Sequence, residues 1–81
     1  MSPVVAGVVI ETVPGAAPAV AGALLRVPGL TLQGGDGSCR LAAVIEAGDG
    51  TALEELTERL LCEDERILGV YPTYVGIADE P

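Results

Sequence analysis

The sequence predicts an α+β domain with the element order strand, helix, strand, strand, helix, strand. Three observations predict it. Six segments show strand-like or helix-like apolar patterns, and Pro-Gly, Gly-rich and Asp-Gly turns separate most of them. The two helical segments alternate with the strands rather than following them as a block. A chain of 81 residues has room for one core only, so the six elements belong to a single domain, residues 1–81.

The first half of the chain predicts a strand, a helix and a short second strand. Val4 to Val13 are mostly apolar and β-branched, which predicts a buried strand. Ala16 to Val27 is rich in alanine and predicts a helix, with Pro18 acceptable in its first turn. Pro28-Gly29 ends that helix, and Leu30 to Gln33 then form a short strand.

The second half begins with a hairpin and a second helix. The turn Gly34 to Gly37 leads into an apolar strand, Ser38 to Ala47. Thr51 and Glu54 fit a capping box, in which hydroxyl and carboxylate satisfy free amides where a helix begins. An apolar stripe of Leu53, Leu56 and Leu60 follows at helical spacing.

The last element is a strand from Ile67 to Ile77, which begins after the acidic run Glu63 to Glu65 ends the second helix. Two βα halves with right-handed crossovers fold into a four-stranded antiparallel sheet with both helices on one face, the ferredoxin-like βαββαβ fold. The last strand then lies at a sheet edge. Pro72 agrees with this position because proline cannot donate a ladder hydrogen bond.

Side chains alternate along each strand, so a sheet covered on one side has a helix-facing set and an open set. Ala6, Val8 and Ile10 are expected to face the helices, as are Val70 and Tyr74. An apolar open face of this extent indicates a peptide or protein partner, or self-association through the same face. The residues expected on the open face, which form the candidate peptide-binding site, are Val5, Gly7, Val9, Glu11, Arg40, Ala42, Val44, Glu46, Tyr71, Thr73 and Val75.

Composition argues against several classes of function. Twelve acidic residues, four arginines and no lysine give a net charge of −8, which disfavours binding to nucleic acid or anionic membranes. The acidic surplus favours a basic partner, or simply keeps an apolar protein soluble. The chain lacks histidine, lysine and a phosphate-binding loop motif, so we expect no enzymatic activity and no cofactor.

The two cysteines bear on metal binding, and the apolar segments bear on the cellular location of the protein. Cys39 and Cys62 have no CxxC spacing and no histidine partner, so we expect reduced, partly buried thiols and no metal site. The longest apolar stretches, Val4 to Ile10 and Ala16 to Leu25, are too short to span a bilayer. No basic residue precedes the first stretch, so a secretory signal is not expected. We therefore expect a cytoplasmic protein without membrane insertion.

Several segments together resemble one family. They are the apolar first strand around Ala6 to Ile10, the helix-ending Val27-Pro28-Gly29, Gly37 before the strand Leu41 to Ile45 that ends in Glu46, and Leu68-Gly69-Val70 leading to Tyr74. In order and spacing the chain resembles NapD, a small cytoplasmic chaperone for the maturation of periplasmic nitrate reductase.

The resemblance implies a function and a partner. The protein would bind the twin-arginine signal peptide of the nitrate reductase catalytic subunit, delaying export until the molybdenum cofactor is loaded into that subunit. It would act as a monomer or a weak homodimer. The alternative is a ferredoxin-like regulatory module that dimerises through its sheet or binds a small effector.

Overall fold

The computed structural model describes residues 3–77 and has the predicted ferredoxin-like α+β fold. Four antiparallel strands form one sheet in the order β2-β3-β1-β4, so β4 lies at an edge, as predicted. The elements are β1 (Val4–Thr12), α1 (Ala17–Leu24), β2 (Leu30–Gly35), β3 (Arg40–Ala47), α2 (Gly50–Glu63) and β4 (Ile67–Ile77). Within residues 3–77, no helix has the length and apolar character needed to cross a membrane.

The first helix is shorter than predicted. It begins after Ala16, carries Pro18 in its first turn and ends at Leu24, three residues before the predicted end. The last turn gives way to a tighter one, in which Arg26 donates its amide to Ala23 and Val27 donates to Leu24. Periodicity alone missed this end because Val27 still packs against the core.

The second helix begins at a different cap from the one predicted. Asp49, not Thr51, is the N-cap, and its carboxylate accepts a hydrogen bond of 2.7 Å from the amide of Ala52. An aspartate in extended conformation directly before the first turn satisfies a free amide as well as a threonine does. The capping box predicted at Thr51 and Glu54 was therefore wrong, since the N-cap lies two residues earlier. The position of the helix was predicted correctly.

The core lies between the sheet and the two helices. On β1 and β3 every second side chain is buried, and Val20, Leu24 and Leu60 cover them from the helices. Leu53 and Leu56 are only partly buried against this core. The core cluster consists of Ala6, Val8, Ile10, Ala17, Val20, Leu24, Leu41, Ala43, Ile45, Leu60 and Ile67.

The two cysteines differ from each other. Both are free thiols; Cys39 is half-buried, while Cys62 is exposed on α2. The expectation of two partly buried thiols was therefore wrong for Cys62, because it lies off the apolar stripe of its helix.

Candidate functional site

The face of the sheet away from the helices, which we call the open face, carries most of the residues predicted for it. On β1, Ala6, Val8 and Ile10 are buried in the core, so the residues between them lie on the other side. The predicted open-face residues of β1 are Val5, Gly7, Val9 and Glu11, and their antiparallel partners on β3 are Glu46, Val44, Ala42 and Arg40. All eight share this face, as predicted.

On β4 the prediction holds at the start and fails towards the end. Tyr71 pairs with Val9 on the open face, as predicted. The register then shifts, because Pro72 pairs with Val8 while Tyr74 pairs with Gly7. Thr73 is thus one extra residue, a bulge that reverses the alternation beyond it.

The bulge exchanges the faces of two side chains. Tyr74 shares the face of Gly7 and lies on the open face, although it was predicted to face the helices. Val75 pairs with Ala6 and lies on the helix side, although it was predicted to be open. Thr73 itself borders the open face and donates a 3.0 Å hydrogen bond from its hydroxyl to the Gly7 carbonyl. The open face therefore gains a second tyrosine and loses a valine.

Each tyrosine covers a glycine. A side chain at Gly7 would collide with the ring of Tyr74, and one at Gly69 would collide with the ring of Tyr71. Aromatic rings that lie over glycines in a sheet shield the bare backbone and fix the register. Both tyrosines are still 54% exposed, so their outer faces are available for contact.

Three shallow hollows follow β3 along the open face. The central one, of about 370 Å³, lies over Gly7 and Ala42, whose small side chains leave the space, and beside Val44 and Tyr74. It shares Val44 with a hollow of about 280 Å³. It shares Ala42 with another of about 210 Å³. Because neighbouring hollows share residues, they form one elongated trough, which we call the sheet trough.

The two ends of the sheet trough differ in charge. The first end is lined by Val5, Gly29, Leu30, Thr31, Val44 and Glu46, and among these described residues Glu46 is the only charged one. The other end is lined by Arg40 and Asp36, and Glu11 is the cross-strand partner of Arg40. Glu46 therefore has no cation beside it among the described lining residues, whereas the opposite end already contains one.

Asp36 has a structural task in the β2–β3 turn. Its Oδ1 accepts hydrogen bonds from the amides of Ser38, Cys39 and Arg40 at 2.9 to 3.1 Å. The amide bonds from Ser38 and then Arg40 lower the pKa of this carboxyl, because they stabilise its charged form. These bonds also explain why β3 begins at Arg40, two residues later than predicted. The carboxylate of Asp36 therefore stabilises its own turn.

Most of the negative charge lies on the other side of the molecule. The segment from Asp49 to Glu65, which contains α2, carries seven of the twelve acidic residues. Asp64 forms a two-pronged ion pair with Arg66, with Nε to Oδ1 at 2.9 Å and Nη2 to Oδ2 at 2.8 Å. This hydrogen bond lowers the pKa of Asp64 and holds the turn into β4.

The open face offers mainly apolar contact surface. In residues 3–77, no group of three or more His, Cys, Asp or Glu side chains is placed to hold a metal ion. The sheet trough combines valine, alanine and tyrosine surface with the carboxylate of Glu46, which has no ion pair with another described residue. Such a surface can hold an elongated apolar segment and accept a hydrogen bond from a cation.

Comparison with protein-family models, with curated proteins and with solved structures gave no match to this chain. A function for this chain is therefore argued from its sequence and from the geometry of its surface.

Sequence reasoning missed Tyr74 and placed Val75 wrongly. Strict alternation was applied across Pro72, where the ladder is interrupted. The available signal was Pro72 itself, because a proline in an edge strand often marks a bulge. The proline predicts that a bulge is near, but not on which side of it the extra residue lies.

Proposed function

We propose that this protein is a chaperone that binds the twin-arginine signal peptide of the periplasmic nitrate reductase catalytic subunit on its open face. Binding would delay export of that subunit until its cofactor is loaded. The resemblance to NapD supplies the partner and the purpose. The observation that supports this binding mode is the sheet trough, an apolar surface with a carboxylate at one end and no cation beside it among the described lining residues.

The shape of the trough favours a peptide over a small effector. The hollows follow β3 from Arg40 to Glu46, a distance of about 20 Å at the rise of a β-strand. Small-molecule sites are usually compact and largely enclosed. A long, open and shallow surface matches a peptide segment instead.

The composition of the trough matches the two parts of a twin-arginine signal. The apolar part of the signal would lie over Ala42 and between the tyrosines and Val9, where apolar surface is exposed. The arginine pair would lie at the Glu46 end, because the carboxylates at the other end already have Arg40 beside them. The charge arrangement therefore also predicts the direction of the peptide.

Calorimetry with the synthetic signal peptide tests this proposal. We expect micromolar or tighter affinity that weakens as salt rises, because part of the attraction is between charges. A peptide with both arginines replaced by glutamine should bind more weakly at low ionic strength. Equal affinity of the two peptides would mean that the carboxylates take no part in recognition.

The contribution of Glu46 to peptide binding can be measured separately from that of the overall negative charge of the protein. Glu46→Gln should weaken peptide binding more than neutralising Glu63, Asp64 and Glu65 together, because a carboxylate shielded by bound peptide contributes more than exposed ones. The matched control is Glu55→Gln, which removes one charge from the exposed side of α2. A larger loss in the triple variant would assign arginine recognition to α2 and exclude the proposed direction of the peptide.

A further inference from the structure

A second apolar groove lies on the helix side of the sheet, between α2 and β4. It has a volume of about 330 Å³, and its floor is formed by Ala6 and Val8 of β1. The walls are Gly50, Leu53, Glu54 and Thr57 of α2, and Val70, Pro72 and Val75 of β4. We call this the helix groove. It shares no open-face side chain with the sheet trough, because the two lie on opposite faces of the sheet.

The bulge and a glycine together leave the helix groove open. The bulge at Thr73 turns Val75 to the helix side, but Val75 is still 59% exposed there. The first residue of α2 that could cover it is Gly50, which has no side chain, and a Cβ added at Gly50 would meet open space. Leu53 is only partly buried in consequence.

The charges around the helix groove have one sign. Glu54 lines the groove, and Glu58 follows one turn later on the same side of α2. The opposite wall is neutral, because β4 from Ile67 to Ile77 contains no charged residue. Arg59 lies five residues beyond Glu54, on a different side of the helix. A cation that entered the groove would find carboxylate and no competing cation among the described lining residues.

We propose that the helix groove is a second docking site, for a segment of a partner protein that carries apolar side chains together with at least one arginine or lysine. The apolar side chains would cover Leu53, Val70 and Val75, and the basic group would pair with Glu54. We choose this occupant because its apolar side chains match the neutral wall of the groove and its basic group matches the purely acidic rim. A second copy of this chain fits less well, since two molecules of net charge −8 repel each other. This site goes beyond the proposed signal-peptide site, and the two are independent.

The test uses a fluorescein-labelled leucine-alanine peptide that carries two arginines, and its twin with glutamate in place of each arginine. Anisotropy measures affinity, and amide chemical shifts of the labelled protein map the contact. We expect the arginine peptide to shift the amides of Leu53, Thr57, Val70 and Val75, and the glutamate peptide to bind at least about threefold more weakly.

Two carboxylates on the same helix give a matched pair of variants. Glu54→Gln should weaken binding of the arginine peptide about threefold, whereas Glu55→Gln, which removes the same charge one residue away, should leave it nearly unchanged. If both variants weakened binding equally, the effect would come from the overall negative charge of α2. The proposed site at Glu54 would then be wrong.

A crossed pair of valine variants separates the helix groove from the sheet trough. Val75→Asp should weaken about tenfold the binding that is measured from the amide shifts of Leu53, Thr57 and Val70, and Val44→Asp should leave the binding measured from these amides unchanged. Circular dichroism checks that both variants are folded. If only the amides of Val9, Val44 and Tyr71 shift, the peptide occupies the open face and the helix groove is not a docking site. That result would leave the proposed signal-peptide site standing.

Discussion

Strands β1 and β4 lie side by side in the sheet, yet their sequences were interpreted with very different success. In β1, alternation separates the buried Ala6, Val8 and Ile10 from the open-face residues without interruption from Val4 to Glu11. In β4, the same rule holds only from Gly69 to Pro72, because Leu68 and Thr73 are extra residues in the ladder. One inserted residue moves every side chain that follows it in the strand to the opposite face of the sheet.

The difference has a functional consequence. The interior strand β1 has partners on both sides, and its pairing with β3 runs without a register shift from Val4 to Glu11. The edge strand β4 has one partner and tolerates a bulge, so its side chains can be redirected locally. In this protein the redirection puts Tyr74 on the open face and Val75 into the helix groove. Both proposed sites therefore depend on the edge strand.

The largest effect is expected within β1, at the boundary between its two faces. Ile10 is fully buried and its neighbour Val9 is only partly so. Ile10→Ala should lower the free energy of unfolding by about 2–5 kcal/mol through a cavity. Val9→Ala should lower it by less, because part of that side chain already contacts solvent. Urea denaturation measures both, and similar losses would show that the face assignment of β1 is wrong.

A smaller effect tests the face assignment of β4. Gly7→Ala should destabilise the protein by about 1 kcal/mol, because the new methyl group displaces the ring of Tyr74. The loss should shrink when Tyr74 is already alanine, with a coupling energy of about 0.5 kcal/mol or more.

Val75→Ala provides the control for this cycle. Val75 lies on the other side of the sheet, so its effect should add to that of Gly7→Ala without coupling. If Gly7→Ala were coupled to Val75→Ala and not to Tyr74→Ala, the bulge would lie elsewhere and strict alternation would hold.

The smallest effect concerns the turn that leads into β4. Arg66 lowers the pKa of Asp64 below its ordinary value of 3.8, so the folded state favours the charged carboxylate. The resulting stabilisation is present above about pH 4 and is lost as pH falls through the lowered pKa. Asp64→Asn should therefore melt at a lower temperature than the unmodified protein near neutral pH, by a margin that narrows as the pH falls through the lowered pKa of Asp64. A margin that widens in acid would contradict this assignment.

Much of the fold follows from the sequence because its signals are local and redundant. The strand from Ile67 to Ile77 has the predicted ends, and the order of the six elements is confirmed. Ends that depend on one hydrogen bond were harder to predict. Asp49 and Thr51 are both good caps, and only the three-dimensional path of the chain selects Asp49.

The candidate site was predictable where the ladder is regular and not beyond it. Val5, Val9 and Val44 lie in continuous pairings, so alternation placed them correctly. Tyr74 and Val75 follow the bulge, whose position depends on how β4 packs against β1. The helix groove was not predicted, because it requires knowledge of how closely α2 approaches β4.

The central claim is that the open face binds the signal peptide, and Val44→Asp tests it most directly. Val44 borders both of the larger hollows of the sheet trough, and its partly exposed position allows the variant to fold. The control is Leu25→Asp, which adds the same charge at an exposed apolar residue after α1, on the helix side. Measured by calorimetry with the twin-arginine peptide, Val44→Asp should bind at least about tenfold more weakly, while Leu25→Asp should bind normally. Normal binding by folded Val44→Asp protein would contradict the claim and exclude the open face as the binding site.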